Sequence, residues 1–331
     1  MKYANIKTSI VEQFKVPNGN KIVPFILGAP GGGKSACARE AMEELNLERV
    51  VEFTASLRDP VDVLGTPNNR DQDYTKWVPP EEFYTLQTGR VGLILEELSD
   101  APTPMQNALC GVIYDHRAGP LNLSKDLYII ATGNRTEDKS GANRITSKLA
   151  NRTRRFDFME NVDDWTTWAL DNEINPVLIQ FLRFRPNLLS DFDPNRFANP
   201  TPRSWERVNL IPESLPDQLF FDNCAGEVGE GASAEYTGFK RIYEALPNMD
   251  ALLLDPKGAD VPSDPAVLYA ITGALARKAT KDNFDRVTTY TNRLTPEFGV
   301  MCVKDAIKLQ PSIKTSRSFI EWATKNAEVL M

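Results

Sequence analysis

The sequence predicts an α/β fold with a mostly parallel sheet, and three observations carry that expectation. Short apolar runs alternate with stretches of helical spacing through the first half of the chain. The first run feeds a glycine-rich loop, and the second half is helical in pattern, punctuated by prolines. Strands that alternate with helices pair in parallel, because the crossover helix returns the chain to the same edge of the sheet.

Ile22 to Leu27 (IVPFIL) is a short apolar run that ends at glycine, as a buried strand feeding a loop does. From Lys34, residues Ala38, Ala41, Met42 and Leu45 recur at the offsets of one helix face. Val50 to Thr54 reads as a second strand. Leu57 to Gln87 is rich in Pro, Gly and Asn, with Trp77 and Tyr84 dispersed through it, and predicts an irregular insertion with short helices. Val91 to Leu95 (VGLIL) is another buried strand, closed by Glu96 and Glu97. Thr103-Pro104 then opens a helix, with threonine as cap and proline at the first helical position. Met105, Leu109, Val112 and Ile113 give that helix its apolar face. Gly119-Pro120 between short polar stretches predicts a hairpin over Arg117 to Asn122. Leu127 to Thr132 (LYIIAT) is the next strand and ends at Gly133-Asn134.

Beyond about Arg155 the character changes. Trp165, Trp168 and Leu170, then Val177 to Phe184, are amphipathic at helical spacing. Pro186, Pro194, Pro200 and Pro202 break the loops that follow. Asp255 to Pro265 reads as a connecting loop, and Val267 to Ala276 is the strongest apolar helix of the last hundred residues.

A length of 331 residues suits two or three compact units. With 38 Lys and Arg against 45 Asp and Glu, the net charge is −7, which weighs against sequence-independent nucleic-acid binding but leaves room for a local basic patch. Cys37, Cys110, Cys224 and Cys302 are far apart and form no CxxC pair, which argues against a zinc site and a disulfide framework. His116 is the single histidine, so His-based triads and multi-His metal sites are out; it reads as a surface residue at a helix end. No apolar leader and no bilayer-length apolar segment is evident, and the expectation is a reduced, soluble, cytoplasmic protein without membrane partners.

Gly28-Ala29-Pro30-Gly31-Gly32-Gly33-Lys34-Ser35 matches GxxxxGK[ST] in full, between a strand and a helix as that motif requires. Small residues let successive backbone N–H groups turn toward phosphate oxygens, and the following helix adds its positive N-terminal end. Lys34 reaches the β- and γ-phosphates of a bound ATP, and the Ser35 hydroxyl suits Mg2+. Glu96 and Glu97 would lie at the carboxyl edge of the same sheet, one serving Mg2+ directly or through water, the other polarising the attacking water. Asn134 ends the neighbouring strand: an amide there orients water or meets the γ-phosphate, or else simply makes the turn after Gly133. Arg152, Arg154 and Arg155 in LANRTRRFDF, and Arg203 in PTPRSW, suit phosphoryl charge, but also salt bridges or a nucleic-acid contact.

In this order the landmarks resemble an AAA+ ATPase of the MoxR branch. The residues that carry the resemblance are GAPGGGKS at 28–35, LILEELSDAPTPMQNAL at 93–109, IIATGN at 129–134, LANR at 149–152 and NPTPRSWE at 199–206. It covers roughly residues 20 to 210, and more loosely the helical remainder. The resemblance implies an AAA+ P-loop NTPase domain over 1–158, an α-helical lid over 159–250 and a helical C-terminal extension over 251–331. It makes Gly28 to Ser35 the Walker A loop and Glu96-Glu97 the Walker B pair, with Glu97 as catalytic carboxylate. Asn134 matches sensor 1, Arg152 the arginine finger acting on a neighbour's ATP, and Arg203 sensor 2. Glu96 departs from the family's usual Asp, and Arg155-Phe156 competes with Arg152 as the finger.

The reading that follows is a homo-oligomer, a hexameric ring, that hydrolyses Mg-ATP to remodel a protein client, a von Willebrand factor A-domain protein being one candidate. Two alternatives use the same fold: a DNA-dependent motor or loader, which the acidic balance disfavours, and an ATP-binding structural or regulatory ring with little turnover, which Glu96 motivates. A small-molecule kinase is less attractive, since no acceptor site is evident.

Overall fold

The computed structural model describes residues 1–70, 74–136, 143 and 145–326. They form two compact units. The first comprises Met1–Asn161 with Phe192–Phe197 and Thr201–Arg203, and the second the remainder. The last five residues of the expected 251–331 extension lie outside the described residues.

The first unit is built on five parallel strands: β1 (Val23–Leu27), β2 (Arg49–Thr54), β3 (Val91–Glu96), β4 (Leu127–Gly133) and β5 (Thr153–Asp157). Their spatial order is β2-β3-β4-β1-β5. The α/β class with a parallel sheet, expected from the sequence, is what the structure has. Alternate residues of the central strands feed two cores, which explains why these strands are apolar without a break. Phe25 and Leu27, Leu93 and Leu95, and Ile129 and Ala131 pack on one face with helix α3 (Thr103–Asp115). Ile26, Ile94 and Ile130 point to the other, against α1 (Tyr3–Lys15) and α2 (Lys34–Glu44). Each of these Phe, Leu and Ile side chains contributes about 1.5–3 kcal/mol by leaving water.

Several local expectations need correction. Edge strand β5 has no apolar run to announce it, since Phe156 is its only buried residue. Helix α1 buries Ile6, Ile10, Val11 and Phe14 where no element was expected. Thr103 does not cap α3; Pro102 occupies the N-cap and Thr103 is the first helical residue. The segment between β2 and β3 does hold two short helices, Val61–Leu64 and Glu81–Tyr84, and also a two-stranded antiparallel ribbon of Thr66–Asn68 with Lys76–Val78. The hairpin pairs Arg117 with Asn122 and Ala118 with Leu121. His116 caps α3 in the left-handed region (φ 48°) and is half-buried, with Nδ1 3.1 Å from the Ser124 carbonyl, so it is less superficial than expected.

The second unit is helical. One of its clusters gathers Trp205, Phe181, Tyr236 and Phe239, with the Trp205 indole N–H donating to the Leu188 carbonyl. The other packs α4 (Pro265–Lys278) against α5 (Pro296–Leu309), and α4 is the expected apolar helix. Arg183 and Asp305 form a bidentate ion pair there and are 14% and 6% exposed. Among the described residues no helix is long and apolar enough to cross a membrane.

Candidate functional site

Because all five strands are parallel, their carboxyl ends meet on one edge. Leu27 is in register with Gly133 and Asp157, and Thr54 with Glu96. The chain leaves β1 at Gly28, whose N–H donates to the Gly133 carbonyl at 3.3 Å, and turns through the loop into α2. Gly31 (φ 73°) and Gly33 (φ 104°) take left-handed conformations that residues with a Cβ enter only at a cost. They give the loop the tight turns that an anion cradle requires.

Lys34 is 9% exposed and folds back over the loop. Its Nζ donates to the carbonyls of Gly28 (2.9 Å) and Ala29 (2.7 Å) and to Asn134 Oδ1 (3.0 Å). These acceptors hold the ammonium where phosphate oxygens would take it over. Gly31 lies against the Thr201 side chain, and its carbonyl accepts from the Arg203 N–H at 3.3 Å. The Arg203 side chain itself is exposed. Gly32 backs onto the Glu160 carboxylate, which a Cβ there would displace.

Glu96 is buried (8% exposed) at the end of β3. Its Oε2 accepts from Ser35 Oγ at 2.7 Å and from Thr132 Oγ1. Its Oε1 has no hydrogen-bond partner among the described residues and lies 4.0 Å from Arg39 Nη2. Arg39 is itself committed to Glu52 through two bonds of 2.7 and 2.9 Å. That hydrogen-bonded pairing raises the Arg39 pKa and holds the Glu52 carboxyl below its usual value. A buried carboxylate oxygen without a donor is costly, and a cation beside it removes the cost. Ser35 and Glu96 therefore fit a hard divalent ion such as Mg2+, which takes one or two protein oxygens and leaves the rest to phosphate and water. The longer arm of Glu96, in place of Asp, reaches the serine hydroxyl directly.

Glu97 is the next residue and faces solvent, where Ser56 Oγ donates to its Oε2. Its backbone is left-handed (φ 54°), held by Leu98 N–H on the Thr132 carbonyl (2.9 Å) and Asp100 N–H on the Glu97 carbonyl (2.9 Å). Asn134 follows β4; its N–H donates to Ser99 Oγ and its Nδ2 to Asp100 Oδ2, both at 2.7 Å. Gly133 permits this approach, since a Cβ there would stand 2.6 Å from Ser99 Oγ.

The arginines divide. Arg152 stacks its guanidinium 4.1 Å from the Tyr114 ring centre and donates to the Lys148 carbonyl at 2.9 Å. Arg154 donates to Gln13 Oε1 and Arg155 pairs with Asp157. The structure thus brings together Lys34, Ser35, Glu96 and Asn134, with Arg203 joined to the loop through its backbone. The contacts of Arg152 and Glu97 are with other residues. Sequence reasoning missed Thr132, Ser99, Asp100 and Ser56. Thr132 had a signal, as the one aliphatic hydroxyl in the apolar run before Gly133. Asp100 and Ser99 had none beyond following the glutamate pair.

Neither a protein-family model nor a curated protein matches the chain. Among solved structures it is similar to RuvB variants of Thermotoga maritima. One is 15% identical with a TM-score of 0.40, over 82% of this chain and 81% of that one. It is also similar to NtrX from Brucella abortus, solved in complex with ATP, at 16% identity and a TM-score of 0.42, over 92% of this chain and 67% of that one.

Proposed function

We propose that the chain is a magnesium-dependent AAA+ ATPase of the MoxR-like kind, acting as a homo-oligomeric ring that remodels a protein partner. The observation that supports it best is the convergence of Lys34 Nζ on Gly28, Ala29 and Asn134 with the 2.7 Å contact of Ser35 and Glu96 at one sheet edge.

In this reading Lys34 exchanges its carbonyl acceptors for β- and γ-phosphate oxygens, and the amides of Gly31 to Ser35 close on the phosphates. Ser35 and Glu96 would hold Mg2+, which would supply charge neutralisation at the phosphates. Glu97 leaves Ser56 to orient the attacking water, and Asn134 senses the γ-phosphate. Arg152 acts on the nucleotide of a neighbouring copy, which makes turnover depend on assembly. Residues 1–158 are the nucleotide-binding domain, 159–250 the lid carrying Arg203 as sensor 2, and 251–331 the helical extension. Six copies in the ring, a von Willebrand factor A-domain client and a cytoplasmic location belong to the same proposal.

The test is ATP turnover over a range of protein concentrations, with particle images taken with and without ATP. Turnover per chain that rises with concentration, together with ATP-dependent rings, supports the reading. Turnover independent of concentration by a monomer rejects the ring, and no turnover at any concentration rejects the ATPase.

A further inference from the structure

We propose that Asp100 is a positioning residue for ATP turnover: through Asn134 it sets which end of the sensor amide faces Lys34. This rests on the ATPase reading above and deepens it.

An ionised carboxylate only accepts, an ammonium only donates, and a primary amide has one end of each kind. Asn134 stands between two such groups. Its Nδ2 donates to Asp100 Oδ2 at 2.7 Å, and its Oδ1 accepts from Lys34 Nζ at 3.0 Å. With the amide reversed, oxygen would face carboxylate and NH2 would face ammonium, so both contacts would be repulsive. Asp100 is fixed in turn, because Ser99 Oγ donates to its Oδ1 at 2.9 Å while accepting the Asn134 N–H at 2.7 Å. Three of these bonds close a circuit through Asn134, Asp100 and Ser99, the Lys34 bond branches from it, and each sets a donor against an acceptor.

Such a circuit has a consequence when Lys34 moves to a phosphate. The Oδ1 of Asn134 loses its donor, but Asp100 continues to hold the NH2 end by one N–H. The second N–H is then the one donor the side chain has left for a phosphate oxygen or an attacking water. Without the acceptor-only carboxylate, the amide is free to turn its oxygen toward them, which repels a phosphate oxygen and offers the water's oxygen no donor. Asp100 therefore acts on the reaction through Asn134 and touches no substrate atom.

The test compares wild type, Asp100→Asn and Ser99→Ala in steady-state turnover and in Mg-ATP binding by equilibrium titration. Asp100→Asn keeps the shape and removes the acceptor-only character. It is expected to lower kcat at least tenfold while the dissociation constant for Mg-ATP stays within about threefold, and Asn134→Ala in the Asp100→Asn background is expected to add little further loss. Ser99→Ala, which keeps the charge, is expected to lower kcat less and serves if Asp100→Asn does not fold. An unchanged kcat in Asp100→Asn overturns the proposal, as does an equal loss of binding and turnover, or full additivity with Asn134→Ala. Failure of wild type itself to turn over ATP would instead reject the ATPase reading, so the two failures are distinct.

Discussion

Ser35 Oγ donates to Glu96 Oε2 at 2.7 Å, which joins the last residue of the glycine-rich loop to the end of a strand two places away in the sheet. The second oxygen of the same carboxylate is buried without a donor. A site prepared for a cation has this form, with one ligand oxygen placed and a negative charge only partly compensated. Glu96→Gln is expected to leave the nucleotide-free melting temperature nearly unchanged and to abolish most of the stabilisation by Mg-ATP. In wild type that stabilisation amounts to about 2.7 kcal/mol at a hundred times the dissociation constant. Differential scanning fluorimetry with and without Mg2+ checks this; equal shifts in both proteins would remove Glu96 from the metal site.

Glu97 occupies a left-handed conformation that costs a residue with a Cβ about 1–3 kcal/mol. Glu97→Gly is therefore expected to raise or preserve stability in chemical denaturation while eliminating turnover. Glu97→Gln is expected to keep ATP bound without hydrolysis, seen as retained nucleotide after gel filtration. Normal turnover in Glu97→Gln would exclude it as the catalytic carboxylate. Ser56→Ala frees the Glu97 side chain and is expected to raise basal turnover by a few fold.

Much of this site was legible because its parts are local. The loop, the lysine and the serine fall within eight consecutive residues, and the strands that end at Glu96 and just before Asn134 are apolar on both faces, so their ends could be found by eye. The edge strand was not legible, since Thr153–Asp157 buries only Phe156 and gives its other positions to polar and charged side chains. Helix α1 did carry a readable pattern, with buried residues at offsets of four, five and eight from Ile6. Asp100 and Ser56 were beyond reach for a different reason. Each meets its partner through the pairing of segments more than thirty residues apart, which no spacing records.

Arg152 is held by the Tyr114 ring and the Lys148 carbonyl, whereas Arg155 is neutralised by Asp157. An arginine that acts on a neighbouring copy has to be presented without its own carboxylate partner. Arg152→Ala is expected to lower kcat by about 10³-fold with ATP binding intact, and Arg155→Ala by less than about threefold. The reverse ranking in a turnover assay would transfer the role to Arg155.

The Arg183–Asp305 pair is buried and bidentate within the helical unit. Removing one partner leaves a buried charge uncompensated, so Asp305→Ala is expected to cost about 3–5 kcal/mol, read from urea denaturation. A cost under 1 kcal/mol would mean that water reaches the pair and screens it.

The measurement that bears most directly on the whole account is an equilibrium titration of wild type and Lys34→Ala with ATP, in the presence and absence of Mg2+. The expected result is saturable binding to wild type that tightens with Mg2+, and its loss in a Lys34→Ala variant that remains folded by circular dichroism. Undetectable binding to wild type, or equal binding to both proteins, would contradict the assignment of the Gly28 to Ser35 loop as a triphosphate site.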